Sequence, residues 1–143
     1  MRKITFLVFL GLLLIGLVLP ATAAEPIKIG IMQIVDHPAL NASRDGVKDA
    51  LQEVYGYVPD KDIIYDMQSA QNDVATANTI AHKFISDKVD VIVTIATPTS
   101  QAAANATKDI PIVFSAVTDP VSAGLVKDLQ KPGGNVTGVS DMT

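Results

Sequence analysis

Two short apolar runs in this chain end in the same way, and the repetition narrows the folds open to it. Val89-Asp90-Val91-Ile92-Val93-Thr94-Ile95-Ala96 leads into Thr97-Pro98-Thr99-Ser100-Gln101, and Ile110-Pro111-Ile112-Val113-Phe114-Ser115-Ala116-Val117 leads into Thr118-Asp119-Pro120. Each run is rich in β-branched residues and is followed by an N-cap type and a proline, the residue favoured where a helix starts. A buried strand that turns directly into a helix is the unit of a parallel sheet. In open sheets of that kind, small ligands bind beyond the carboxyl ends of the strands. Both runs deliver hydroxyls, a carboxylate and helix-start N–H groups to that edge.

The rest of the chain continues the alternation. Ile27-Lys28-Ile29-Gly30-Ile31-Met32-Gln33 reads as a first strand, broken at His37-Pro38. Leu40, Val47, Leu51 and Val54 then recur at helical spacing up to Tyr55, with Gly56 as a stop. Ile63 to Met67 reads as a second strand. Asn72 or Asp73 would cap a second helix whose buried stripe is Val74, Ala77, Ile80, Ala81, Phe84 and Ile85. A short alanine-rich helix capped by Thr97 follows the third strand. A fourth helix is expected from Asp119 to about Leu129, with Val121, Leu125 and Leu129 on one face. Lys131-Pro132-Gly133-Gly134 is a sharp turn, and Asn135 to Ser140 starts a fifth strand. The expected fold is therefore α/β, a doubly wound five-stranded parallel sheet of order 2-1-3-4-5 with its switch point between strands one and three.

Residues 1–24 are read as an export signal: Met1-Arg2-Lys3 is basic, Ile4 to Leu19 is uninterrupted and apolar, and Ala21-Thr22-Ala23 has the small-x-small pattern of a cleavage site. As a helix those sixteen residues would reach about 24 Å, short of the roughly 30 Å needed to span a bilayer. The chain has no cysteine, so neither a lipid-bearing cysteine nor a disulfide framework is expected. Residues 25–143 would form one lobe outside the cytoplasm, held by its packed core. Removing Arg2 and Lys3 leaves nine basic against fifteen acidic residues, a balance of −6. Such a surface offers no basic stripe for nucleic acid.

The candidate binding residues lie on three loops. Thr97, Thr99, Ser100 and Gln101 surround the start of the third helix, where unpaired N–H groups and hydroxyls suit a carboxylate; capping by Thr97 alone is the plainer alternative. Thr118 and Asp119 could meet an ammonium, or Asp119 could simply cap its helix. Gln33 and His37 leave the first strand at the switch point, although Asp36 or His37 could equally be a helix cap. Two histidines, no cysteine and no acidic cluster exclude an ordinary metal site. Neither a Gly-x-Ser-x-Gly elbow nor a phosphate loop or dinucleotide fingerprint is present, so the chain is read as a non-enzyme without a cofactor.

Taken together, Ile29-Gly30-Ile31-Met32-Gln33 with His37-Pro38-Ala39-Leu40, Ala96 to Ala102, Ile110 to Val121, and Pro132 to Gly138 resemble the ABC transporter substrate-binding proteins of the tryptophan- and tyrosine-binding type. The resemblance implies a periplasmic protein that closes two lobes around an amino-acid-like, often aromatic, ligand and delivers it to a membrane permease. It places ligand contacts at Gln33, His37, Thr97 to Gln101, Thr118 and Asp119, and a hinge at Gly138, Val139 and Ser140. Members of the family are about twice this length, so residues 25–143 would be the amino-terminal lobe, with the second lobe missing. A single lobe offers one wall of a cleft and should bind weakly. An extracytoplasmic sensing lobe acting through a receptor is the alternative.

Overall fold

The computed structural model describes residues 25–141; the expected export signal, residues 1–24, lies outside them. Among the described residues five strands and three α-helices follow one another: β1 (Ile27–Gln33), α1 (Pro38–Asp49), β2 (Ile63–Ser69), α2 (Val74–Ser86), β3 (Val91–Ile95), α3 (Thr97–Ala106), β4 (Ile112–Val117) and β5 (Val136–Ser140). The strands pair in parallel in the order β2-β1-β3-β4-β5. At the carboxyl edge the register aligns Ser69, Gln33, Ile95 and Ser115 in one row across four strands.

Pleating sends alternate residues to opposite faces. On one face Met32, Ile92, Ile112, Phe114 and Val117 meet the helical stripe Ala77, Ile80, Ala81 and Phe84 of α2 and Ala102 to Ala104 of α3. The alanines of α3 bring α2 and α3 close together above this face. Gly30 of β1 is part of the fit: a Cβ there would lie 2.7 Å from the Phe84 ring. On the other face Ile29, Ile31, Ile63, Val93 and Ile95 meet Leu40, Val47 and Leu51 of α1 and the turn that follows it.

Local caps explain where the helices begin. The Asp73 side chain accepts from the Thr76 amide at 2.5 Å, and His37 Nδ1 accepts from the Ala39 amide at 3.3 Å. Downstream of α1 the coil widens into a π-helical turn, Ala50–Val54, before Gly56 reverses the chain at φ +73°. That widening turns Val54 out of the apolar stripe, and it is 73% exposed.

Two expectations require correction. The stretch Asp119 to Leu129 is not a helix. Ala123 N–H reaches Asp119 O at 2.9 Å to close one turn, and Gly124, at φ +73°, then leads the chain away. A left-handed residue so soon after the cap ends the helix before its stripe can form, so Leu125 is buried while Val121 and Leu129 remain exposed. Nor does Thr97 cap α3. The cap position is Ala96, held at φ 83°, ψ 157°, and Thr97 is the first helical residue.

Candidate functional site

The carboxyl edge of the sheet gathers the loops after β1, β3 and β4. The β3–α3 junction is the most constrained. Ala96 occupies a backbone region that side-chain-bearing residues rarely adopt, at a cost of order 1–3 kcal/mol. Hydroxyls hold it there. The single Thr99 hydroxyl proton is shared between the carbonyls of Ile95 (2.7 Å) and Ala96 (2.9 Å), and Ser100 Oγ donates to Ala96 O at 2.9 Å. Ser100 has a single hydroxyl proton, so Thr94 must be the donor in its 2.8 Å contact with Ser100. Thr94, Thr99 and Ser100 are all fully buried. Their hydroxyls therefore shape the junction, and what the junction presents outward is the half-buried Thr97 and the first-turn N–H groups of α3.

A second reversal lies next door. Ala116 sits at φ 54° where β4 bulges between Phe114 and Val117. Bulges of this kind re-aim the chain at the end of a strand. Beyond it Thr118 is exposed, and its carbonyl accepts from Ser140 Oγ at 2.9 Å. Asp119 accepts from the amides of Val121 (3.1 Å) and Ser122 (2.9 Å) and from the Ser122 hydroxyl (2.6 Å). Hydrogen bonds from Ser122 hold its carboxyl below the usual range, so it is a carboxylate at neutral pH. Gln101, exposed on α3, donates to Ala123 O at 3.0 Å and ties the two loops together.

On the β1 side the candidates separate. His37 is exposed at the start of α1, whereas Gln33 is only 2% exposed and points into a polar cluster. That cluster contains Asp36, Asn41 and Arg44. Hydrogen bonding to Asp45 raises the Arg44 pKa further above its already high value. Beside it lies a cavity of about 210 Å³ lined by Gln33, Asp36, Arg44, Met67, Gln68 and Ser69. The Ser69 hydroxyl is buried there with no hydrogen-bond partner among the described residues.

Among the hinge candidates, Gly138 lies against Phe114 so closely that a Cβ would be 2.1 Å from the Phe114 carbonyl oxygen. Val139 is 69% exposed and Ser140 reaches back to the β4 loop. Sequence reasoning overlooked Thr94, Ser43 and Ser115. Ser43 of α1 and Ser115 of β4 share a 2.8 Å hydroxyl contact that pins α1 to the edge. A polar residue inside an otherwise apolar strand, six positions before Ser100, was the available signal for Thr94.

A parallel sheet with polar loops and helix starts gathered at its carboxyl edge is the architecture of a lobe of a type I periplasmic binding protein. Residues 28–143 match the model of the ABC transporter substrate binding protein family, and the chain belongs to that family. It is 58% identical over 113 residues to a tyrosine-binding protein of Clostridioides difficile strain R20291, covering 79% of this chain and 32% of that protein. The ligand-free, open structure of a substrate binding protein with adhesive properties from Clostridium difficile superposes with a TM-score of 0.78 at 56% identity, over 82% of this chain and 39% of that one. An ABC domain in complex with L-Trp from Streptococcus pneumonia gives a TM-score of 0.78 at 44% identity, over 82% and 39% of the two chains. The chain thus spans 32–39% of the length of these relatives.

Proposed function

We propose that this chain is the amino-terminal lobe of an extracytoplasmic solute-binding component of an ABC importer, and that its ligand is an amino acid, with aromatic side chains favoured. The observation that carries the reading is the β3–α3 junction in a chain of this family. Three buried hydroxyls are used to hold Ala96 in a costly backbone conformation, and the helix start exposed as a result is suited to a carboxylate. Thr97 and the first-turn amides would take the ligand carboxylate. Asp119, ionised at the neighbouring loop, would face its ammonium, with Thr118 and Gln101 at the rim. Thr99 and Ser100 serve the same site from behind. The relatives' ligands, tyrosine by name in one and L-Trp in another, support an aromatic amino acid.

A second lobe would close the cleft by bending at Gly138 to Ser140, and an integral-membrane permease would receive the solute. One open wall buries little of a small ligand, so this chain alone should bind weakly. Titration of L-tyrosine and L-tryptophan into the isotope-labelled chain, followed by amide chemical shifts, tests the site. Saturable shifts centred on Thr97 to Gln101 and Thr118 to Asp119, with millimolar-range affinity, are expected. Shifts centred elsewhere, or none in that rim at saturating ligand, would overturn the assignment.

A further inference from the structure

Gln33 occupies the carboxyl end of β1 beside the proposed rim, yet it is 2% exposed and its carboxamide is fully engaged. Its Nε2 lies 3.2 Å from Val35 O, 2.6 Å from Asp36 Oδ1 and 2.9 Å from Asn41 Oδ1. Its Oε1 accepts from Arg44 Nη1 at 3.4 Å. Two amide protons thus serve three acceptors, one from each of three successive pieces of chain: the strand exit, the loop and the second turn of α1. No proton is left over for a ligand. From these contacts we infer that Gln33 is a positioning residue, which sets the path of the loop 34–37 and the seat of α1 rather than touching solute.

The consequence reaches both sides of the rim. The loop fastened by Gln33 carries His37, whose ring caps α1. Two residues past Asn41, Ser43 meets Ser115 on β4 at 2.8 Å, immediately before the Ala116 reversal and the Thr118–Asp119 loop. Helix α1 is therefore pinned twice by polar contacts, to β1 through Gln33 and to β4 through Ser43. Because a helix is stiff, moving the first pin changes the spacing between the β1 loop and the β4 loop. Hydrogen bonds of an amide to several partners depend strongly on shape, so a carboxylate cannot replace it here. Glutamate at this position would keep an acceptor for Arg44 Nη1, but its second oxygen would face Val35 O and Asp36 Oδ1 with no proton to give either.

The inference rests on the reading that the rim binds an amino acid, and the experiment separates the two. The full chain and its Gln33→Ala, Gln33→Glu and Asn41→Ala variants are titrated with L-tyrosine, and amide hydrogen exchange is followed in parallel without ligand. All three variants should exchange faster at residues 35–41, while β3 and α3 keep their protection. Tyrosine affinity should fall by about tenfold or more in Gln33→Ala and Gln33→Glu at neutral pH, and by less in Asn41→Ala, which removes one of the three acceptors. Acidifying the solution, so that the introduced carboxyl regains a proton to donate, should recover part of the loss in Gln33→Glu but none in Gln33→Ala. Unchanged exchange at 35–41 in Gln33→Ala and Asn41→Ala would overturn the positioning role, as would neutral-pH binding by Gln33→Glu equal to that of the parent. If the parent chain binds no tyrosine, the functional reading fails, and exchange at 35–41 still decides the role of Gln33.

Discussion

The two faces of the sheet are covered unequally. Five strands at about 4.8 Å span roughly 19 Å, and a helix with its side chains covers about 10 Å. Two helices, α2 and α3, with the loop around Leu125 and Val126, cover one face from β1 to β5, while Ile64 on the edge strand β2 stays 40% exposed. Among the described residues the other face has α1 alone and keeps an apolar groove of about 690 Å³, lined by residues that include Ile27, Val91, Val113, Tyr55, Tyr57 and Val139. The reason is topological. Right-handed crossovers put every connection that moves in one direction on the same face. Only β1 to β2 runs leftward from the switch point, and β2 to β3 and β3 to β4 both run rightward. The difference teaches that coverage of a face follows from strand order, before any choice of side chain.

The largest effect separating the faces should come from Phe84→Ala. Phe84 is fully buried against Gly30, and its loss should cost about 3–5 kcal/mol by denaturant unfolding. Leu51→Ala, at a half-buried site in the turn that follows α1, should cost well below that; equal costs would break the contrast. Gly138→Ala comes next, at about 1–3 kcal/mol, because its Cβ would collide with the Phe114 carbonyl; loss of amide protection in β5 alone is the mark to look for. Ser100→Ala should cost about 1–2 kcal/mol, since Thr94 would then lose its buried partner, and it should weaken ligand binding by releasing the Ala96 turn.

A smaller effect is expected at the cap of α2. Hydrogen bonds from Thr76 hold the Asp73 pKa below its ordinary value of about 3.9. A carboxyl whose folded pKa is depressed contributes stability above its unfolded pKa and loses it as pH falls through the folded one. Asp73→Ala should therefore lower Tm at neutral pH, and the gap to the parent should close below about pH 3.9 in a thermal scan series. The smallest effect belongs to the open face. Val113 is 37% exposed in the groove, and Val113→Ser should change stability by no more than about 0.5 kcal/mol. A loss as large as that of Phe84→Ala would show this face to be packed after all.

Period and punctuation carried most of the fold. The apolar, β-branched runs, a cap at Asn72 or Asp73 and most of the α2 stripe were legible because each rests on local pattern, although Val74, expected in that stripe, is 56% exposed. The strand order followed from the handedness of crossovers. The expectations that missed share a cause: each depended on backbone geometry that neighbours impose. A helix after Asp119 fits the spacing of Val121, Leu125 and Leu129, yet Gly124 takes a left-handed turn and the chain leaves after one coil. The Thr97 cap fits its residue type, yet buried hydroxyls drew the reversal back to Ala96.

For the binding edge the division is sharper still. Residue types and their place after strands determined that polar groups and helix starts would collect at one rim. Which of them face outward was decided only in three dimensions. Thr99 and Ser100 point inward to carbonyls, Gln33 is consumed by the loop it anchors, and Thr97 and Thr118 are left at the surface. A hydroxyl or carboxamide can serve a ligand or its own backbone with the same chemistry. Burial and the competition among nearby acceptors settle the choice, and neither exists until the chain has folded.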